Sequence, residues 1–240
     1  MSFPFIEHVV LLQKADVSWA ARARWRGSSV WRAQQHGEPL AACASLLEQA
    51  PRGRAPFLDR ATVLLGFPHV HYLMLPWQDG MHRMEDWQAF AETAFSQQAD
   101  LDPTYWHVHV ARHDFGQACL AVATSRELLS DLRALFKLKT LPLVACTPLL
   151  SAVARQYWAQ LPADCVLAVS EPGALSCLYV QDASARQVCA MATSSPLSDS
   201  LFAADMLVEH HADETRVISN DPTHEHWLGP LHPWLLESLP

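Results

Sequence analysis

Histidine is the residue type with the most chemical potential in this chain. His69-Val-His71 and His107-Val-His109 each set two imidazoles two positions apart. On a strand that spacing puts both rings on one face, half of a metal site that a carboxylate or a third histidine would complete. His113 and Asp114 follow the second pair closely. Paired histidines on a strand face are common without a metal, and nothing of HExxH form occurs, so the expected metal is none. His210-His211 and His224-Glu-His226 read as surface loop. A two-metal nuclease needs three or four converging carboxylates. The candidates are Asp16, Asp164 and Glu171, which come from opposite halves of the chain. A serine hydrolase needs a GxSxG elbow, which is missing, and Ser170 and Ser176 read as strand residues. Cysteines stand at 43, 119, 146, 165, 177 and 189 with no CxxC pair. Most fall in apolar runs, where a reduced thiol acts as a small hydrophobe. The expected list of catalytic residues is empty.

The elements that must position these groups follow from periodicity and turn chemistry. The central stretch is Asp164–Met191. Two apolar runs flank Glu171-Pro172-Gly173-Ala174, where proline presets φ and glycine accepts the positive φ that follows. Gln187–Met191 continues as a third strand. Before it come a strand, Pro142–Cys146, and a helix, Pro148–Gln160, introduced by Thr147-Pro148 as N-cap and first helical residue. The N-terminal part reads as another meander: Glu7–Leu12, the alternating Asp16–Trp25, a turn at Gly27-Ser28 and Val30–Gln34. A helix over Glu38–Gln49 follows. Ala61–Gly66 is an apolar run of the buried, parallel kind. His69–Leu75 is a strand, Met84–Gln97 a helix, and Trp106–Ala111 with Gln117–Ala123 an antiparallel pair. Thr124-Ser-Arg-Glu127 has the form of a capping box before the next helix. Ser195-Pro196 opens a helix over Leu197–Glu209, and Arg216–Ser219 is a last strand. A meander followed by a helix thus occurs twice.

Composition sets limits on partners. Half of the 240 residues are hydrophobic, enough for a substantial core. The net charge of −8, from 25 acids against 17 bases, repels phosphate backbones and argues against general nucleic-acid binding. The N-terminus lacks the basic and cleavage features of a secretory signal. The longest apolar candidate, Leu141–Leu150, is broken by Pro142 and Pro148 and falls short of the roughly 18–20 residues needed to span a bilayer. The expected location is cytoplasmic.

Three stretches carry a family resemblance: Ala61-Thr-Val-Leu-Leu-Gly-Phe-Pro-His-Val-His-Tyr-Leu-Met-Leu-Pro-Trp77, Ala118-Cys-Leu-Ala-Val-Ala-Thr-Ser-Arg-Glu-Leu-Leu129, and Leu143-Val-Ala-Cys-Thr-Pro-Leu-Leu150 leading to the central hairpin. With them the chain resembles the cytoplasmic actin-like assembly proteins of type IV pili and type II secretion systems, the PilM/GspL group. The resemblance implies an α/β, actin-like (duplicated ribonuclease-H-like) fold, two subdomains around a cleft. It divides the chain into a first subdomain, 1–140, with an inserted strand–helix–hairpin region at 60–137, a second at 141–220, and an irregular tail at 221–240. It also implies a scaffold at the inner membrane. Such a scaffold grips the cytoplasmic segment of a membrane-anchored assembly protein and touches the motor ATPase. Without a membrane-spanning run the chain is more like the peripheral, pilus type.

Some members of the group bind ATP, which needs glycine-lined turns that let backbone amides approach phosphates. The positions that match the first turn are Lys14, Asp16 and Ser18; those that match the second are Glu171 and Gly173. The first turn has no glycine, Pro172 removes an amide from the second, and no two of the eight glycines are close neighbours. The resemblance with these departures implies a scaffold without a nucleotide, with ATP and Mg disfavoured; the alternative is an ATP-binding ATPase of the same machinery. Trp77, Trp227 and Trp234 lie beside proline or polar loop residues, as partner anchors or as closures of the core's ends.

Overall fold

The structure is a computed structural model that describes residues 5–23, 30–112, 114–210 and 214–236. Trp25, the Gly27-Ser28 turn, His113 and His211 lie outside the described residues. The chain runs β1 (Ile6–Leu12), β2 (Asp16–Ala23), β3 (Trp31–His36), α1 (Pro39–Gln49), β4 (Arg60–Leu65), β5 (Val70–Leu75), α2 (Met84–Ala99), β6 (Trp106–Val110), β7 (Cys119–Ser125) and α3 (Arg126–Leu138). It continues through β8 (Leu143–Pro148), α4 (Leu149–Tyr157), β9 (Cys165–Glu171), β10 (Ala174–Gln181), β11 (Ser184–Ala192), α5 (Leu197–Val208), β12 (Thr215–Ile218) and β13 (Trp227–Gly229).

Two sheets share one layout. The first has the order β3-β2-β1-β4-β8 and the second β11-β10-β9-β12-β13. In each, an antiparallel meander is extended by two parallel strands. β8, assigned by the sequence reading to the second unit, hydrogen-bonds to β4 and so belongs to the first sheet. β13 lies in the tail that the sequence reading left irregular; it pairs with β12. Between β4 and α3 sits a third sheet, β5-β7-β6, with α2 on it. In β4 the run Val63-Leu64-Leu65 is continuous because Val63 and Leu65 pack into one core layer and Leu64 into the other.

Core clusters show the layering. Trp19, Leu46, Val63, Leu132 and Phe136 fill the space between the first sheet and α1 with α3. Trp19 stacks on Phe136 at 5.8 Å and donates its indole N–H to His8 Nδ1 at 3.1 Å. Burial pushes His8 down to about 4, so it stays neutral and accepts that bond. On the other face Val9, Leu11 and Leu64 meet Leu150 and Val153 of α4, which in turn pack on Leu167, Val169 and Ile218 of the second sheet. Helix α4 is therefore enclosed between the sheets. Helix α5 covers the far side. No helix among the described residues is long and apolar enough to cross a membrane.

Three helix starts differ from expectation. At α5 the cap position is Pro196, one residue past Ser195, with no side-chain acceptor. β7 runs on through Ser125, whose hydroxyl caps α3 by accepting from the Leu128 amide; Thr124 is a buried strand residue instead of the cap. At α4 the cap position is Pro148, which offers no side-chain acceptor, and the Leu150 amide donates to the Tyr72 hydroxyl of the inserted sheet. A tertiary acceptor has taken the role that a local hydroxyl plays elsewhere.

Leu132 is fully buried and Leu138, on the same helix, is 77% exposed. Leu132→Ala should cost about 2–5 kcal/mol in urea unfolding, whereas Leu138→Ala should stay within about 0.5 kcal/mol of the parent.

Candidate functional site

Three turns meet where the two sheets face each other. The β1–β2 turn is closed by the Gln13 amide donating to the Asp16 carbonyl at 2.9 Å. The end of β4 is tied to it by the Gly66 amide, which donates to the Leu12 carbonyl at 2.8 Å. From the second half comes the β9–β10 turn, in which Gly173 has φ +74°, the conformation its sequence demands.

Glu171 crosses from that turn into the first half. Its Oε2 accepts from Gln13 Nε2 at 3.1 Å and its Oε1 from the Phe67 amide at 3.2 Å. The residue is only 6% exposed. Loss of water outweighs the two donated hydrogen bonds and pushes the carboxyl from its ordinary 4.5 up to about 7. Gly66 makes room for it: a Cβ there would stand 1.9 Å from Oε2 of Glu171. His69 supports the same turn, with Nε2 3.1 Å from the Gln13 carbonyl, and burial lowers its pKa.

Beside this contact lies a crevice of about 660 Å³, lined among others by Ser18, Arg32, Asn220, Asp221, Leu231 and Leu235. The last two belong to the segment after β13 and pack into the core between the sheets. Trp234 holds that segment to the first sheet. Its carbonyl accepts from Arg32, the Arg22 guanidinium lies 5.8 Å from its ring centroid, and the His232 ring meets it edge-on at 5.5 Å.

Of the five residues matched to a nucleotide site, Ser18 and Glu171 line the crevice. Lys14 is exposed in its turn. Asp16 points to His36, with Oδ1 3.1 Å from Nδ1. Gly173 serves the hairpin, its carbonyl accepting from the Thr193 amide at 2.9 Å. Gln13 and the Leu231–Leu235 segment were not identified from sequence. Gln13 belongs to no motif, and the proline-rich tail carries no periodicity that marks Leu231 and Leu235 as core residues. Among the tryptophans, Trp227 donates to the Ser219 carbonyl at 2.9 Å and ties β13 to β12. Trp77 donates to Asp79 at 2.9 Å and packs against Trp87 and Phe115.

The other candidates disperse. His71 packs edge-on against Trp106 at 4.8 Å. The β5-β7-β6 register puts His71 level with Ala123 and Val108, and His107 and His109 on the opposite face. No group of three or more metal-ligating side chains converges among the described residues. Asp164 accepts from the Asp182 amide at 3.0 Å at the far end of β9 from Glu171, so these two carboxylates cannot meet.

No protein-family model matches the chain, and no curated protein matches it. Solved structures do. The cytoplasmic domain of EpsL, an inner membrane component of the type II secretion system of Vibrio cholerae, superposes with a TM-score of 0.65 at 15% identity, covering 92% of this chain and 84% of that one. A Bacteroides thetaiotaomicron protein with an actin-like ATPase fold and unknown function gives 0.62 at 8% identity, covering 91% and 83%. The chain has the actin-like fold. A PilM–PilN type IV pilus biogenesis complex gives 0.54 at 13% identity, covering 85% of this chain and 66% of that one. The similarity expected from the three sequence stretches is thus present in the structures, at identities that establish the fold alone.

The raised pKa of Glu171 makes its contribution pH-dependent. In the folded state the proton is held up to about 7, against 4.5 in the unfolded chain. The penalty for ionising it is absent below the unfolded value and grows as pH rises through the folded one, to about 3 kcal/mol. Glu171→Gln should therefore gain stability relative to the parent between pH 5 and 8, as urea unfolding across that range would record. Gly66→Ala should lose about 1–3 kcal/mol by displacing the carboxyl from its donors.

Proposed function

We propose that the chain is a non-catalytic scaffold of a type IV pilus or type II secretion-like inner-membrane assembly platform, acting on the cytoplasmic side through protein contacts. The observation that carries this reading is the Glu171 carboxyl, seated between Gln13 Nε2 and the Phe67 amide. In an actin-like fold the turns that meet here are the ones that would hold phosphates. Their donors are already engaged by an acid of the chain itself, and an incoming triphosphate would bring negative charge against it. A glycine-lined phosphate loop is missing, and Leu231 and Leu235 take up part of the crevice. These residues do not fit a nucleotide, and no step through ATP or Mg is assigned.

The partner in this reading is the cytoplasmic segment of a membrane-anchored assembly protein, with the motor ATPase as a second contact. Two of the similar structures support that direction: one is described as an inner membrane component and the other is a complex of PilM with PilN. Trp77, Trp227 and Trp234 make internal contacts, which favours a structural role for them over that of partner anchors. The competing reading is an ATP-binding ATPase, for which the favouring observation is the roughly 660 Å³ crevice itself.

Mg-ATP separates the two. A ligand that binds the folded state raises the melting temperature by mass action. We expect no shift at millimolar Mg-ATP for the parent or for Asp16→Ala. A clear shift in the parent that Asp16→Ala abolishes would establish nucleotide binding and remove the reading of a scaffold without a nucleotide.

A further inference from the structure

The first sheet ends on β8, and among the described residues β8 pairs only with β4. Open strand edges present unpaired amides and carbonyls, and proteins blunt them with charge, short length, proline, bulges or cover. Of the other edges, β3 and β13 follow that rule. β3 carries Arg32, Gln34, Gln35 and His36, and Arg32 meets the Trp234 segment. β13 has three residues. β8 reads Leu-Val-Ala-Cys-Thr-Pro, with no charge, and is guarded only by Pro148 at its end and a bulge. One residue, Val144, bulges out of the β4–β8 register and is 59% exposed.

A second cavity, of about 450 Å³, adjoins this edge. Phe57, Phe136, Leu141 and Leu143 supply its apolar wall, Arg133 and Lys137 its charge, and no acidic side chain lines it. Exposed apolar side chains continue around it: Phe57 is 75% exposed, Leu58 42% and Leu138 77%. With Val144 these make up four of the eleven large hydrophobic residues exposed on the described surface. The walls are held in place from behind. Arg52 Nε bonds Asp59 Oδ2 at 3.0 Å, while its other nitrogens donate to the Lys139 and Thr140 carbonyls at 3.1 and 2.9 Å. That clamp fixes the loop bearing Phe57 to the end of α3, so little ordering cost attends a ligand. On a chain of net charge −8, two cations over an apolar cavity specify a partner of the opposite sign.

We propose that this edge takes an extended, acidic segment of a partner protein, which adds to β8 as a strand and seats one large apolar side chain in the cavity between Phe57, Phe136 and Leu143. Backbone bonds to β8 supply register, the cavity supplies the anchor, and Arg133 with Lys137 pair the flanking acids. This surface deepens the scaffold reading and rests on it, yet the two fail separately. An ATP-induced shift would remove the scaffold reading without touching this edge, and a failure here leaves the crevice result standing.

The test is a display library of random dodecapeptides selected on the intact chain. Enriched peptides should carry acids around a large apolar residue and protect the Val144–Cys146 amides from hydrogen exchange. They should weaken about tenfold or more on the Arg133→Glu, Lys137→Glu double variant, and also on Val144→Asp, with melting temperatures unchanged. The proposal is overturned by any of three results: no enrichment above an unrelated control protein, undiminished binding to both variants, or a parent that sediments as a dimer which Val144→Asp dissociates, since a second copy would then be the occupant.

Discussion

A carboxyl group removed from water ties together the parts of this molecule that come from opposite ends of its fold. Glu171 belongs to the second sheet, and both of its donors, the Gln13 side chain and the Phe67 amide, belong to the first. The contact is possible only because Gly66 has no side chain in its path. Burying an acid is costly, and hydrogen bonds offset that cost only in part, as the upward displacement of its pKa records. The arrangement therefore trades stability for a fixed relation between the turns. Around it, the apolar packing of α4 against both sheets supplies the bulk of the cohesion.

The two halves share a strand order but differ in what surrounds it. The first sheet is backed by α1 and α3, carries an inserted sheet with its own helix, and ends on the six-residue β8. The second is backed by α5 and ends on the three-residue β13. The packing at β13 is close. A Cβ on Gly229 would lie 2.3 Å from the Tyr157 hydroxyl, and that hydroxyl donates to the Pro230 carbonyl at 3.0 Å. This brings the chain to the point where Leu231 and Leu235 turn into the crevice.

Most of the fold was legible in the sequence because its strongest signals are local. The Glu171-Pro172-Gly173 turn, the alternation in β2 and the apolar run of β4 each report one element. The repeated order of meander and helix then suggested the duplicated layout. What was hidden depends on contacts between distant residues. Thr124 and Ser125 are both competent caps, and only the length of β7 decides between them. The Tyr72 hydroxyl that receives the Leu150 amide lies 78 positions away in sequence. β13 is too short to show a period, and β8 declares its sheet only by pairing with β4. At the crevice, the missing glycines and Glu171 were visible as residue types. Gln13 and the tail leucines were not, since nothing in a polar strand end or a proline-rich tail announces what it will face.

The Leu231–Leu235 segment bears on how the protein is made. A ribosome releases the first sheet through β8 and α4 long before it releases the residues that seal the space between the sheets. Until then the core between the sheets lacks the Leu231 and Leu235 side chains, and transiently bared apolar surface of this kind is what holdase chaperones recognise. The nascent chain must wait in a half-built state for this segment.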